Sequence, residues 1–392
     1  MSSQPPTTTT TTNTPTPKLN IYRPLSPHAG IRVSPICLGA MTFGNKWSQH
    51  MSSISKEESF VLLDEWFFEM GGNFLDTACN YQDQESEKII GEWMEERGVR
   101  DQIVLATKYT AFYKPSDPNI HQRINFVGNN IKNMYLCVED SLKKLRTEYI
   151  DVLYVHWWDW DTSIKEVMDG LHRLVLDGKV LYLGISDTPA WIVSQANQYA
   201  ECQGKTPFSI YQGKWSVLDR SFERDIIPMA RMNGMALAPW GVIGGGRLRT
   251  DEEERVREES GERGRTTYGV DWKRTEDEKR ICQALEKVAN EIGVESIRAV
   301  AIAYVMQKTP YVFPIIGSRS VESFKENLEA LNISLTPEQV QSIENADTKF
   351  DLGFPHNMVG DGSTINFRID LAGKTQRVPF QSALRPPQFQ ED

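Results

Sequence analysis

From about residue 32 onward, short runs of apolar residues alternate with longer segments in which apolar residues recur every three or four positions. Short apolar runs are typical of buried strands, and the longer spacing is typical of amphipathic helices. We therefore predict seven strand–helix units. Their strands span residues 73–76, 103–108, 150–156, 180–186, 209–212, 236–240 and 311–316, and their helices span residues 85–98, 129–146, 163–177, 189–200, 224–232, 276–292 with 294–308, and 321–331.

Repeated strand–helix units form parallel sheets, which are either doubly wound or closed into a barrel. No GxGxxG sequence follows any predicted strand, so the usual dinucleotide-binding signal of a doubly wound sheet is missing. The chain length and the seven units, with an eighth short strand expected at residues 331–335, favour an α/β fold of the (β/α)8 TIM-barrel type. In such barrels the chemistry lies at the carboxyl ends of the strands.

The sequence predicts three parts. Residues 1–18 contain eight Thr and four Pro and form a disordered tail, because they hold too little apolar surface to offset the entropy of ordering. The barrel spans residues 19–349, and residues 350–392 form a C-terminal extension with little periodicity. Within the barrel, the polar insertion at 250–279 is either a solvated surface segment or a loop lying over a bound cofactor.

Charge and composition exclude several classes of protein. The net charge of −10, with no basic cluster, argues against nucleic acid or an anionic membrane as partner. The longest apolar runs, such as Val152–Val155, are far too short to span a bilayer. The five cysteines form no CxxC pair, so neither a metal site nor a dithiol motif is predicted, and the first residues lack a signal-peptide pattern. We expect a cytoplasmic protein that acts on a small molecule; the sequence leaves its oligomeric state open.

Four titratable side chains stand at the ends of three successive predicted strands: Asp76, Tyr81, Lys108 and His156. Taken singly, each has an ordinary structural explanation as a cap, a solvated strand end or a buried aromatic. Together they suit proton transfer to a carbonyl oxygen. An ammonium beside a phenol favours the phenolate and lowers its pKa, a carboxylate holds the ammonium in place, and a histidine donates a hydrogen bond to the same oxygen.

These residues lie in stretches that resemble the aldo-keto reductase family. LDTACNYQDQESEKIIGEW is similar to the first signature of the family, and LYVHWWDW is similar to its histidine strand. GISDTPAWIVSQANQYA resembles the fungal branch of aryl-alcohol dehydrogenases and norsolorinic acid reductases. The resemblance covers residues 32–345 and implies a catalytic tetrad of Asp76, Tyr81, Lys108 and His156.

The same resemblance implies an NADP site. Ser186, Asp187 and Gln212 would contact the nicotinamide amide, although most of the family has Asn where Asp187 stands, and Trp215 would stack on the ring. The glycines after the strand at 236–240 would let backbone amides approach the pyrophosphate. Arg319, near a helix N-terminus, would bind the 2′-phosphate of NADP. The full set of implied cofactor contacts is Thr42, Ser186, Asp187, Gln212, Trp215, Gly241, Gly244, Gly245, Gly246, Arg247, Gly317, Ser318, Arg319, Glu326 and Asn327.

Aromatic residues near these positions predict the substrate. Phe43, Trp157, Trp158 and Trp240 are expected to line a flat apolar slot, and Phe354 and Phe367 of the C-terminal extension are further candidates for its wall. We therefore expect an NADPH-dependent oxidoreductase that interconverts aromatic aldehydes or ketones and their alcohols. The sequence leaves the natural substrate and the physiological direction open.

Two alternatives stay open at this point. The barrel could serve as an NADP-binding, redox-sensing interaction module, as in the potassium-channel β subunits that share it. It could also be an aldolase with Lys108 as its Schiff-base nucleophile.

Overall fold

A computed structural model of the chain describes residues 19–49, 51–260 and 272–386. Its strands are β1 (Arg23–Ser26), β2 (Ala29–Val33), β3 (Cys37–Gly39), β4 (Phe74–Asp76), β5 (Val104–Tyr109), β6 (Ile150–Val155), β7 (Val180–Ser186), β8 (Phe208–Lys214), β9 (Ala236–Trp240) and β10 (Ile315–Ile316). Strands β3 to β10 form one parallel sheet in the order β10-β3-β4-β5-β6-β7-β8-β9. The sheet closes where the amide of Leu237 in β9 donates to the carbonyl of Tyr311, at 2.9 Å. The predicted TIM barrel is confirmed.

Helices cover the outside of the barrel. Those of the described residues are α1 (Lys56–Asp64), α2 (Glu85–Arg97), α3 (Ile131–Lys144), α4 (Ile164–Leu176), α5 (Ala190–Cys202), α6 (Phe222–Met232), α7 (Asp251–Ser260), α8 (Glu276–Ile292), α9 (Ile297–Lys308), α10 (Val321–Leu328), α11 (Pro337–Ala346), α12 (His356–Val359) and α13 (Phe367–Asp370). A π-helix at Glu65–Glu69 continues α1. No helix within the described ranges combines the length and the apolar composition needed to cross a membrane.

Local sequence explains where several helices begin and end. Ser163 accepts a hydrogen bond from the amide of Glu166 and so caps α4, and Thr275 forms a capping box with Glu278 at the start of α8. Helix α2 ends at Gly98, whose left-handed backbone a residue with a side chain would adopt only under strain. These caps fix the helix ends and hence the positions of the loops that follow the strands.

The core has two parts, which distinguish the two ends of the barrel. The larger part lies between the sheet and the helices. The smaller part joins the β1–β2 hairpin, through Leu25 and Val33, to the first residues of β3, β4 and β5, namely Cys37, Phe74 and Val104. The hairpin therefore plugs the end where the strands begin, and the other end is left for chemistry.

The predicted eighth strand at residues 331–335 is wrong. The eighth strand of the sheet is β3, whose three residues are too few to show a period. Residues Glu329–Asn332 form a 3-10 helix, and the side-chain amide of Gln307 bonds the carbonyl of Ile333 and the amide of Leu335. This side chain meets the backbone hydrogen-bonding needs that a strand partner would otherwise meet.

Part of the insertion is anchored by charge. Glu254 of α7 accepts hydrogen bonds from Arg249 at 2.9 Å and from Arg274 at 2.6 Å, and all three side chains are buried. The ion cluster therefore fastens both ends of the insertion to the barrel, whereas the sequence offered few apolar anchors. Residues 261–271 and the predicted disordered tail of residues 1–18 lie outside the described residues.

The C-terminal extension packs along α6 towards the hairpin end. The ring of Phe350 lies under the guanidinium of Arg220, at 4.4 Å, and Phe380 lies under that of Arg231, at 4.3 Å. Phe380 also borders a cleft that Pro27 of the hairpin and Tyr311 help to line. This course leads away from the carboxyl ends of the strands, and Phe354 and Phe367 are exposed. Their suggested place in the substrate wall stays a prediction.

Candidate active site

A buried ion pair joins the ends of two adjacent strands. Asp76 is the last residue of β4, and Lys108 lies near the end of β5. The ammonium of Lys108 donates to Asp76 Oδ1 at 2.6 Å and to the carbonyl of Thr77 at 2.7 Å. The side-chain amide of Gln212 donates to the other carboxylate oxygen of Asp76, at 2.9 Å. Both charges are thus held in fixed positions, as a buried pair requires.

Tyr81 lies directly above this pair. Its ring centroid is 5.0 Å from Lys108 Nζ and 5.9 Å from the ring of His156, which it meets edge to face. The turn after Tyr81 contains three successive non-glycine residues with positive φ, Gln82, Asp83 and Gln84. Buried Gln82 holds this turn, since its amide donates to the carbonyl of Met41 and accepts from the backbone of Trp47. Such strain persists only where surrounding contacts enforce it.

The electrostatics of Tyr81 correct one sequence-based argument. Burial raises the pKa of Tyr81 to about 12, and the positive charge of Lys108 acts in the opposite, predicted direction without outweighing burial. Burial alone would lower the pKa of Lys108, but the attraction of Asp76 and Tyr81 leaves that pKa raised. Tyr81 is therefore a neutral phenol at physiological pH, held beside a permanent ammonium.

His156 follows β6 directly. Its backbone amide donates to the carbonyl of Tyr109 at 3.1 Å, which ties it to the end of β5. Burial, and then the charge of Lys108, lower the pKa of His156 to about 3, so its ring is neutral. Its Nδ1 is buried and finds no hydrogen-bond partner among the described residues. A neutral imidazole with an unused nitrogen is suited to hydrogen-bond an added polar atom.

The four side chains form one cluster, which we call the proton-transfer assembly because its groups are suited to pass a proton to a bound oxygen. Asp76 and Lys108 are buried, while Tyr81 and His156 are partly exposed at the carboxyl end of the barrel. A carbonyl oxygen placed between the phenol and the imidazole would accept a hydrogen bond from each. The structure therefore brings together all four residues that the sequence predicts for catalysis.

The loop after β9 and the start of α10 form the predicted cofactor side. Gly241, Gly244, Gly245 and Gly246 all have positive φ, and a Cβ at Gly245 would meet open space. Ser320 caps α10 by accepting from the amide of Ser323, which leaves this helix N-terminus at the loop that holds Gly317, Ser318 and Arg319. Backbone amides without side chains and a helix N-terminus fit a dinucleotide's phosphates.

The remaining predicted contacts at this side have partners within the chain. Asn327 is buried, and its Nδ2 donates to the carbonyl of Ser323, while its Oδ1 finds no partner in the described part of the chain. This free acceptor suits a donor on a bound base. Thr42 lies 3.5 Å from the carbonyl of Ser318, Arg247 pairs with Glu278, and Glu326 pairs with Arg298.

The predicted nicotinamide contacts lie on β7 and β8. Ser186 and Gln212 are paired in register, and Gln212 donates to Asp76. Asp187 accepts a hydrogen bond from the indole of Trp240 at 3.2 Å, and burial raises its pKa to about 6. Trp215 is fully buried, with its ring stacked on Phe222 at 5.4 Å. Stacking of Trp215 on a nicotinamide would therefore require its surroundings to open.

The structure corrects the predicted substrate wall. Phe43 and Trp158 are buried among the residues of the main core, so neither lines an open slot. Trp157 and Trp240 are exposed at the ends of β6 and β9, as expected. Sequence reasoning missed Trp47, whose ring lies 6.2 Å from that of Tyr81, edge to face. Its signal was hidden because it follows β3, the strand that the pattern did not reveal.

Comparison with known proteins decides the family. The sequence profile of the aldo/keto reductase family matches residues 35–348. An aryl-alcohol dehydrogenase (NADP(+)) of Phanerodontia chrysosporium is 56% identical over 376 residues, which cover 95% of this chain and 97% of the relative. The chain belongs to the aldo/keto reductase family.

Two other relatives define the branch of this aldo/keto reductase. A putative aryl-alcohol dehydrogenase of Saccharomyces cerevisiae is 52% identical over 94% of this chain and 97% of the relative. Norsolorinic acid reductase A of Aspergillus parasiticus is 46% identical, with 95% of each chain covered. The resemblance to this fungal branch, inferred from the motifs, is confirmed.

Proposed function

We propose that this aldo/keto reductase is an NADP-dependent oxidoreductase that interconverts aromatic aldehydes or ketones and their alcohols. The observation that carries the proposal is the arrangement of Tyr81, Lys108 and Asp76. The ring centroid of Tyr81, a neutral phenol, lies 5.0 Å from Lys108 Nζ, and this ammonium donates to Asp76 Oδ1 at 2.6 Å. The printed names of the relatives, NADP-dependent aryl-alcohol dehydrogenase among them, support the same cofactor and substrate class.

NADPH, when bound, supplies a hydride to the carbonyl carbon. Ser186, Asp187 and Gln212 would hold its amide, the glycine loop after β9 its pyrophosphate, and Arg319 its 2′-phosphate. Tyr81 would give its phenolic proton to the carbonyl oxygen, so that an O–H bond forms as the C=O π bond breaks. Lys108 stabilises the resulting phenolate, Asp76 holds Lys108, and His156 orients the oxygen by a hydrogen bond.

The aldolase alternative is disfavoured by the state of Lys108. A Schiff-base nucleophile must be a neutral amine, but the pKa of Lys108 is raised by Asp76 and Tyr81, against the effect of burial. The ammonium also makes two short hydrogen bonds that a substrate would have to displace. No specific contact in the described residues favours the interaction-module alternative over catalysis.

The aryl preference can be tested by comparing benzaldehyde with hexanal, by loss of NADPH absorbance at one pH. Packing of a ring on Trp157 predicts about a tenfold advantage in kcat/KM for benzaldehyde, equivalent to about 1.4 kcal/mol. Trp157→Ala should reduce this advantage. Equal kcat/KM values for both aldehydes in the native protein would leave a general carbonyl reductase and remove the aryl assignment.

A further inference from the structure

The exposed tryptophans are confined to one end of the barrel. Of the ten tryptophans in the chain, four are exposed: Trp157, Trp160, Trp191 and Trp240. Trp157 and Trp160 follow β6, Trp191 lies in the first turn of α5 after β7, and Trp240 ends β9. All four therefore lie where strands β6, β7 and β9 end, on the catalytic side. Exposed aromatic surface gathered in one place is typical of a binding site.

Trp160 and Trp191 form a pair on this rim. Their ring centroids are 6.2 Å apart, with the planes tilted by 42°. Trp160 is 64% exposed and Trp191 is 60% exposed, so each ring leaves most of its surface open. Neither residue takes part in the proton-transfer assembly or in the predicted cofactor contacts.

The loop that carries Trp160 is built to hold it there. Trp160 has a φ of +67°, a conformation that residues with a side chain rarely adopt. The carboxylate of Asp159 fixes the loop by accepting hydrogen bonds from the backbone amides of Asn129, Asp161 and Thr162 and from the hydroxyl of Thr162. Strain maintained by such contacts is found where a side chain has a role.

The same loop is continuous with the catalytic residues. It begins at His156, and Trp157 next to it is tied to Asn129, whose side-chain amide donates to the Trp157 carbonyl at 2.9 Å and to Thr110 Oγ1 at 3.0 Å. The Thr110 hydroxyl in turn lies 3.3 Å from the backbone amide of His156. The loop that carries Trp160 is therefore tied to the residues that hold His156, and both lie on the same side of the barrel.

We propose that Trp160 and Trp191 form a distal aromatic subsite that binds a second ring of the substrate. This inference rests on the proposed function and narrows its substrate class to carbonyl compounds with two separated aromatic rings. The first ring lies near Trp157, and the second packs against the tryptophan pair. If a second copy of the chain or another protein covers the pair instead, substrate preference will not depend on Trp160 or Trp191.

The test compares two aldehydes that differ only in the aromatic character of the second ring, 4-benzyloxybenzaldehyde and 4-(cyclohexylmethoxy)benzaldehyde. We expect the native protein to favour the former in kcat/KM by about 2- to 12-fold, as for a pair of interacting rings. Trp160→Ala and Trp191→Ala should bring the ratio close to one, with little change for benzaldehyde itself. Trp160→Phe should retain most of the preference for 4-benzyloxybenzaldehyde.

Phe68→Ala is the matched control. Phe68 is an exposed aromatic residue that also packs on a neighbouring ring, that of Phe67, but it lies in the π-helix before β4. The Phe68→Ala substitution should leave the kcat/KM ratio of the two aldehydes unchanged. A native ratio of one, or a ratio that survives loss of both Trp160 and Trp191, overturns the subsite.

Calorimetric binding of the two corresponding benzyl alcohols to the NADPH-saturated protein, a combination that cannot react, provides a second readout. The affinity ratio should follow the same pattern in native protein, Trp160→Ala and Phe68→Ala. If no aldehyde is reduced, the proposed function fails, while this titration still decides whether the pair binds a second ring. Equal affinities for the two alcohols in the native protein would overturn the inference.

Discussion

Asp187 gives the cofactor site a side chain that titrates near neutrality. Its backbone adopts the left-handed region at φ +43°, its carboxyl accepts from Trp240, and burial raises its pKa to about 6. The charge of Lys108 on β5 acts against this rise, and the carboxylate in turn raises the pKa of Tyr81 after β4 and of Tyr211 on β8. Above pH 6 the carboxylate only accepts hydrogen bonds, whereas below pH 6 the protonated group can also donate.

Asp187→Asn should therefore change how cofactor binding depends on pH. The amide donates at every pH, so we expect the variant to bind NADP+ more tightly than the native protein at pH 7.5 and about equally at pH 5. Calorimetric titrations of both proteins across this range measure the ratio of the two Kd values. Titration of the cofactor's own phosphate cancels in this ratio. A ratio that stays constant with pH would contradict the assignment of Asp187.

Arg319 should determine the choice between NADPH and NADH. A guanidinium near the N-terminus of α10 can make a charge-assisted bond to the 2′-phosphate. Arg319→Ala should weaken NADPH binding by about 1–3 kcal/mol and leave NADH binding nearly unchanged. Fluorescence titration with both cofactors measures the difference. Equal losses for the two cofactors would show that Arg319 does not bind the phosphate.

At the scale of elements, one buried ion pair links two helices to the strand that carries Lys108 and the loop that carries Tyr81. Glu87 of α2 is fully buried and pairs with Lys144 of α3 at 2.7 Å. Glu87 also accepts from the hydroxyl of Thr107, next to Lys108, at 2.6 Å. Lys144 donates to the carbonyl of Cys79, two residues before Tyr81, at 3.2 Å. The pair thus supports both sides of the proton-transfer assembly.

Glu87→Gln should destabilise the fold, because the buried ammonium of Lys144 loses its closest carboxylate and keeps Asp140, at 2.9 Å. We expect a loss of about 1.5–3 kcal/mol in the free energy of unfolding, measured with urea, as for a hydrogen bond to a charged group. The matched control is Glu95→Gln, which removes a more exposed pair with Arg146 and should cost less than about 1 kcal/mol. Similar losses in the two variants would contradict the structural role of the buried pair.

The elements also show what sequence patterns can and cannot predict. The ends of strands β6 and β7 and of helices α2 and α4 were predicted to within one or two residues. Their apolar patterns extend over six or more residues, and their ends carry caps or turns. Strand β3 has three residues and no period, and the β1–β2 hairpin lies almost wholly before residue 32, where the predicted strand–helix units begin. The burial of Phe43 and Trp158 likewise depends on how their loops fold, which spacing alone does not determine.

At the scale of the whole molecule, the two ends of the barrel have separate tasks. The β1–β2 hairpin and the C-terminal extension, through Phe380, occupy the end where the strands begin. The charged pair, the glycine loop and the exposed tryptophans gather at the other end. The clustering of the tetrad could be predicted from sequence because its residues follow three successive strands, whose carboxyl ends lie together in any such barrel. The rise of the Tyr81 pKa could not be predicted from sequence, because it depends on how completely the surrounding residues exclude water.

The most direct test of the central claim, that Tyr81 gives the proton, is the turnover of benzaldehyde and NADPH by Tyr81→Phe. This change removes one hydroxyl and leaves the ring near Lys108 and His156. We expect kcat to fall by at least about a hundredfold, as for loss of a general acid, with NADPH affinity by fluorescence titration within about twofold of the native protein. Retention of most of the native kcat, with cofactor still bound, would contradict the assignment of Tyr81 and with it the proposed mechanism.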